Sequence, residues 1–169
     1  MLNISYIEGG RELLEEVRPL WIKKRKYHKE KSTYFPHKFA QMTFDGRTEE
    51  MLEKSEIRVV IAKDREKDKY VGFCISTIDE KRLGMIESIF IEEEYRRNRI
   101  AENLMNLSLK WMDEKGVKNK RLNVAIGNEE VLNFYKRFNF KPFLIILEQK
   151  NDDNPANDNS ANDNPENNL

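Results

Sequence analysis

The residue types best suited to chemistry in this chain cluster in residues 85–111. An apolar strand, MIESIFI, carries a single carboxylate, Glu87. It then breaks into a charged turn, EEEYRRNRIA, holding Arg96, Arg97 and Arg99, and continues as an amphipathic helix. The first backbone N–H groups of a helix lack partners and sit at the positive end of its dipole, so a cationic turn placed there favours a phosphorylated ligand. The alternative is a solvated arginine cluster. Glu87 is either a candidate base in a cleft or one half of an ion pair. A second segment, residues 124–140, reads VAIGNEEVLNFYKRFNF: a strand, Gly127, a capping residue Asn128, acids in a first helical turn, and Phe134 with Tyr135 near the helix end. A phenol, with a reference pKa of ~10, can protonate a departing anion. Tyr135 could equally be a core aromatic.

Taken together, the two segments resemble the GNAT superfamily of acyl-CoA-dependent N-acetyltransferases. There the turn usually reads Arg/Gln-x-x-Gly-x-Gly/Ala, and the later helix usually ends Phe-Tyr-x-x-x-Gly-Phe. Here Arg96-Arg97-Asn98-Arg99-Ile100-Ala101 keeps the first and last positions of the turn and has Arg99 in place of the central glycine. Phe134 to Phe140 keeps the aromatics and has Asn139 for glycine. The resemblance implies acetyl-CoA as co-substrate, no metal, and transfer of the acetyl group to a primary amine of a small molecule or peptide by direct attack on the thioester. It implies that Arg96, Arg97, Asn98, Arg99, Ile100, Ala101 and Asn128 contact the cofactor. By the same resemblance Glu87 activates the amine and Tyr135 protonates the thiolate. A bulge near the end of the strand would free an amide of Ile89, Phe90 or Ile91 for the thioester carbonyl. Glycine at the Arg99 position lets backbone approach phosphate closely, so the arginine side chain must swing away or itself engage the phosphates. Homodimerisation is common in the family. The second reading is an acyl-CoA-binding module without turnover. A nucleic-acid binder using the block KKRKYHKEK is the weakest reading.

Other reactive types read more plainly. His28 and His37 have no partner at metal-ligand spacing. Cys74 lies inside an apolar strand, without an electropositive activator adjoining it, and is expected to be core. Tyr27, Tyr34 and Phe35 lie in the segment that commonly shapes the acceptor pocket in the family.

The elements that must carry these groups can be read from periodicity. A strand over residues 3–7 ends at Gly9 and Gly10. Leu13, Leu14, Val17, Leu20 and Trp21 have helical spacing that extends to Tyr27 and that Pro19 should kink or interrupt, with residues 23–31, KKRKYHKEK, as a basic block on the exposed side. An irregular stretch follows Pro36, and Thr48 with Glu49 and Glu50 marks a short helix start. Strands over 58–62 and 70–78 flank a polar hairpin. The strand over 85–91 should put Ile86, Ser88 and Phe90 on one face and Glu87, Ile89 and Ile91 on the other. Ile100, Leu104, Leu107 and Trp111 form the stripe of a helix that Gly116 ends. Leu122, Val124 and Ile126 alternate as a strand, and residues 143–147 supply the last one. The expected class is α/β (α+β): a mixed, mostly antiparallel twisted sheet with helices on both faces, acyl-CoA N-acyltransferase-like.

Composition agrees with one domain over residues 1–150 and a disordered Asn/Asp-rich tail over 151–169. The chain has 30 Lys and Arg against 30 Asp and Glu, but five of the acids lie in that tail. Residues 1–150 thus carry 30 basic against 25 acidic side chains, a net charge of +5 that suits a polyanionic ligand. No apolar run approaches the ~20 residues that span a bilayer, the first residues lack a signal-peptide layout, and one cysteine makes no internal disulfide. The cytoplasm is the expected compartment, with no membrane or nucleic-acid partner.

Overall fold

The computed structural model describes residues 2–54 and 56–150; the tail expected over 151–169 lies outside the described residues. Five strands form one sheet in sequence order: β1 (Ile4–Gly9), β2 (Glu56–Asp64), β3 (Lys69–Ile78), β4 (Leu83–Ile91) and β5 (Asn119–Leu122). The pairings β1–β2, β2–β3 and β3–β4 are antiparallel, and β4–β5 is parallel. The helices are α1 (Leu14–Lys31), α2 (Pro36–Gln41), α3 (Phe44–Leu52), α4 (Ile100–Glu114) and α5 (Leu132–Lys136). A parallel neighbour needs a crossover, and α4 supplies it between β4 and β5.

Strand alternation sends side chains to two separate cores. On one face Val59, Ile61, Phe73 and Ile75 pack against Leu14, Val17, Leu20 and Trp21 of α1 and Phe44 and Met51 of α3. On the other, Val60, Ala62, Val71 and Ile86 pack against Ile100, Leu104, Met105 and Met112 of α4. Each such fully buried aliphatic contributes about 1.5–3 kcal/mol. The layered architecture is therefore the expected one.

Several elements differ from expectation. α1 runs unbroken through Pro19, because its buried stripe of Leu14, Val17, Leu20 and Trp21 holds it on the sheet. Residues 36–41 form α2, with Pro36 at its first turn, where a missing N–H costs nothing. α3 starts at Thr43, whose hydroxyl accepts from Gly46 N at 3.1 Å, and Thr48 lies inside it, donating to Asp45 O. The stripe of α4 is Ile100, Leu104, Met105, Ser108 and Met112, while Leu107 and Trp111 flank it. Gly116 does end this helix, at φ +72°. β5 stops at Leu122, and residues 143–147 form no strand: Phe143, Leu144, Ile145, Ile146 and Leu147 are all at least 63% exposed.

Candidate active site

β4 carries the site, and its register explains how. Ser76 pairs with Ile86 and Ile75 pairs with Ser88, so Glu87 is an extra residue with no partner on β3. A bulge of this kind turns two successive side chains to one face. Ile86, Ile89 and Ile91 accordingly join the α4 core, while Glu87, Ser88 and Phe90 turn toward the α1 side. Strict alternation had paired Ser88 with Ile86 and Glu87 with Ile89; the bulge reverses that phase. It also lies mid-strand, upstream of the strand end near which it was expected.

Glu87 lies both in the cleft and in an ion pair. Its side chain is only 6% exposed. Thr77 donates to Oε1 at 2.6 Å and Arg47 of α3 donates to Oε2 at 3.0 Å.

The other edge of β4 is left open. β5 pairs only with Leu83 through Ile86, and beyond that point the two strands part. A cavity of about 270 Å³ fills the opening. Residues 86–91 form one wall and residues 122–125 the other, with Lys24, Tyr27 and His28 of α1 on one face of the sheet and Phe134 and Tyr135 of α5 on the opposite face. Glu92 N donates to Val71 O at 2.9 Å, which fixes its amide toward β3. Alternation then turns Phe90 toward β3 as well and leaves the amides of Ile89 and Ile91 facing the gap.

At one end of the cavity lies the turn before α4. Tyr95, 2% exposed, anchors it by donating to Asp64 Oδ2 at 2.8 Å, a contact that holds the Asp64 carboxyl below the usual range. Arg97 and Arg99 both take left-handed backbone, at φ +64° and +58°. Asn98 folds its amide inward, donating to Tyr95 O and Arg96 O. Arg99 stands at the N-cap of α4 without a side-chain cap, so the first amides of a 15-residue helix stay free. The left-handed conformation explains why the resembled motif has glycine there, since a side chain costs about 1–2 kcal/mol. Arg96 turns back instead: Nε donates to Ile91 O at 3.2 Å, and the guanidinium lies 4.9 Å from the Tyr27 ring centroid. Ile100 is buried in the α4 core and Ala101 lines the cavity.

Residues 125–131 close the cavity against α1. Gly127 adopts φ +96°, and a Cβ there would lie 2.0 Å from Lys31 O. Asn128 makes no side-chain cap; its Oδ1 accepts from the Tyr27 hydroxyl at 3.3 Å. Glu130 accepts from the same hydroxyl and pairs with Lys31. Tyr135 packs edge-on against Phe134, and burial, with a lesser contribution from the Cys74 thiol, pushes its pKa up to about 12. It stays protonated at any physiological pH.

Two cavity residues escaped the sequence reading, Lys24 and His28 within the block taken as exposed, whereas Tyr27 lines the cavity from the segment expected to shape the acceptor pocket. The signal was present, since extending the buried stripe of Val17 and Trp21 by helical steps reaches Lys24 and His28. His28 stacks on Phe39, and burial followed by the charges of Lys24 and Lys31 lowers its pKa to about 4, so it is neutral. Cys74 is buried and its thiol is pushed up to about 11, as expected of a core residue. Tyr34, 60% exposed, is not part of the lining.

Similarity to known proteins agrees with this geometry. A profile of the acetyltransferase (GNAT) family matches residues 14–140. An uncharacterized N-acetyltransferase of Methanocaldococcus jannaschii is 29% identical over 79 residues; the match covers 43% of this chain and about a third (35%) of that protein's length. A provisionally assigned acetyl transferase of Pyrococcus furiosus has the same fold with a TM-score of 0.68 at 19% identity, over 88% of this chain and 99% of that one. The aminoglycoside N-acetyltransferase AAC(6')-Iy in complex with CoA matches with a TM-score of 0.63 at 16% identity, over 90% and 97%. A soil metagenomic aminoglycoside acetyltransferase in complex with sisomicin matches at 0.62 and 12%, over 87% and 95%. With its matched profile spanning three quarters of its length, this chain belongs to the acetyltransferase (GNAT) family.

Proposed function

We propose that the protein is an N-acetyltransferase that moves an acetyl group from acetyl-CoA to a primary amine of a small molecule or peptide. The observation that carries this reading is the opening between β4 and β5, with free amides along one wall and an uncapped helix N-terminus at its end. A cavity of about 270 Å³ suits a slender chain ending in an acyl group, and the pyrophosphate would lie outside it at the 96–101 turn. The bound co-substrate supplies an activated thioester carbonyl.

The residues divide the work. The first amides of α4 bind phosphate oxygens, and the side chains of Arg97 and Arg99 add charge from a turn whose backbone is already bent for close approach. The amide of Ile89 or Ile91 donates to the carbonyl oxygen as negative charge develops there. Phe90, whose amide belongs to β3, is not a donor. Glu87 is a fixed anion on the acceptor side. Thr77 and Arg47 orient it and leave further lone pairs on each oxygen, so it draws in an ammonium and takes its proton. Tyr135, held protonated, donates to the departing sulfur from the opposite face. Asn128 and Arg96 shape the walls through Tyr27.

Aminoglycosides are the first acceptors to test, because two of the structural neighbours are named for them. Polyamines, amino acids and peptide amines complete the panel. Calorimetry with acetyl-CoA and thiol release across the panel form the test. Binding with turnover on an amine is the expected result, and Tyr135→Phe should cut turnover about 10–100-fold while leaving binding and melting temperature nearly unchanged. Binding without turnover on any amine would instead support the silent acyl-CoA module, and no binding at all would overturn the reading.

A further inference from the structure

Lys24 is half-buried in the wall of the cavity, and the proposed reaction leaves it without a role. Its neighbours on α1 look outward: Lys23 pairs with Glu92, and Lys26 lies near Glu30 at the surface. Lys24 Nζ instead donates to Ser88 Oγ at 2.7 Å, one residue from the gap-facing amide of Ile89. Among the described residues no carboxylate lies within ion-pair distance of it. Burial, followed by the charge of Arg47, lowers its pKa to about 8, against the opposing influence of Cys74 and Glu87. At pH 7.4 roughly a fifth of the side chain is then a free amine. The titratable groups that act on it electrostatically are Arg47 from α3, Glu87 from β4, Cys74 from β3 across the sheet and His28 from α1, of which His28 and Cys74 are neutral.

We propose that Lys24 is an acetyl acceptor within the protein's own site, modified by acetyl-CoA when no external amine occupies the cavity. The inference rests on the acetyltransferase reading. The neutral Nζ forms a bond to the carbonyl carbon, the carbon–sulfur bond breaks, and the proton lost by nitrogen ends on the departing sulfur. The products are Nε-acetyl-lysine and free coenzyme A thiol, with no further reactant. The cation becomes a larger neutral amide inside a small cavity, so the modified protein has less room for its acceptor. Self-acetylation is therefore a brake that engages when acceptor is scarce.

The test is peptide mass spectrometry of the full chain incubated with acetyl-CoA alone, at pH 7 and pH 9. Lys24 should acquire acetyl at least tenfold faster than Lys23 or Lys26, and faster at pH 9 than at pH 7. Lys24→Arg should abolish that modification and Lys26→Arg should leave it intact. An unmodified Lys24, or one modified no faster than Lys23 and Lys26, overturns the inference. Thiol release with the amine panel runs in parallel: turnover there with Lys24 unmodified removes only this inference, whereas failure of both removes the acetyltransferase reading as well. The wild-type measurement decides the matter even if the arginine variant does not fold.

Discussion

The two edges of β4 are built to opposite rules. Toward β3 the ladder runs from Gly84 to Ile91 and is broken only where Glu87 bulges out. Toward β5 it runs for four residues and stops. A continuous edge gives rigidity, and an abandoned edge leaves backbone donors that a buried sheet cannot normally afford to leave unpaired. The site is thus made from a ladder that ends early on one side of a strand fully held on the other. The bulge adds to this by turning Glu87 and Ser88 together toward the face covered by α1 and α3, where Arg47 of α3 meets Glu87 and Lys24 of α1 meets Ser88.

The largest effect on that contrast should come from the residues that hold the open edge apart. Gly127 combines φ +96° with a Cβ position 2.0 Å from Lys31 O, so Gly127→Ala must push residues 125–131 off α1. We expect a loss of about 3 kcal/mol or more, read as a fall in melting temperature. Gly116→Ala is the matched control: its φ is +72° but nothing lies within 4 Å of the added carbon, and about 1 kcal/mol is expected. Equal losses would show that the close approach to α1 is not needed.

A smaller effect should appear with pH. His28 titrates at about 4 in the folded protein because burial and two nearby ammonium groups oppose its charge, against 6.5 when unfolded. The unfolded chain therefore binds more protons between those values, and stability that is full above pH 6.5 is lost as pH falls toward 4. With partial solvent screening the loss is ~1–2 kcal/mol. Chemical denaturation of wild type and His28→Phe at pH 7 and pH 4.5 checks it: the difference between the proteins should shrink or reverse in favour of the variant at the lower pH. An unchanged difference would mean that His28 is solvated and the α1 wall is open to water.

The sequence made the sheet legible where apolar runs flank a polar hairpin, as in β2 and β3, and where a period of two holds, as at the start of β4. It made the charged turn before α4 legible because three arginines between a strand and a helix are conspicuous. It hid whatever depended on a break in period. A bulge leaves no compositional mark, so the face on which Ser88 and Phe90 emerge could not be read. The polar letters of Lys24 and His28 looked like a solvated block, although helical spacing carried them into the cavity. Val124 and Ile126 kept an alternation that the diverging strand does not use, and residues 143–147 have strand-forming types without a partner strand. Pairing is a long-range property, and no local pattern reports it.

Amide hydrogen exchange on β4, resolved residue by residue with and without acetyl-CoA, tests the central claim most directly. Ile89 and Ile91 should exchange quickly in the free protein and become protected at least tenfold on binding. Phe90, already bonded to β3, should be slow in both states. Equal protection of all three in the free protein, or binding of acetyl-CoA with no change at Ile89 and Ile91, would contradict the assignment of the open edge as the acyl site.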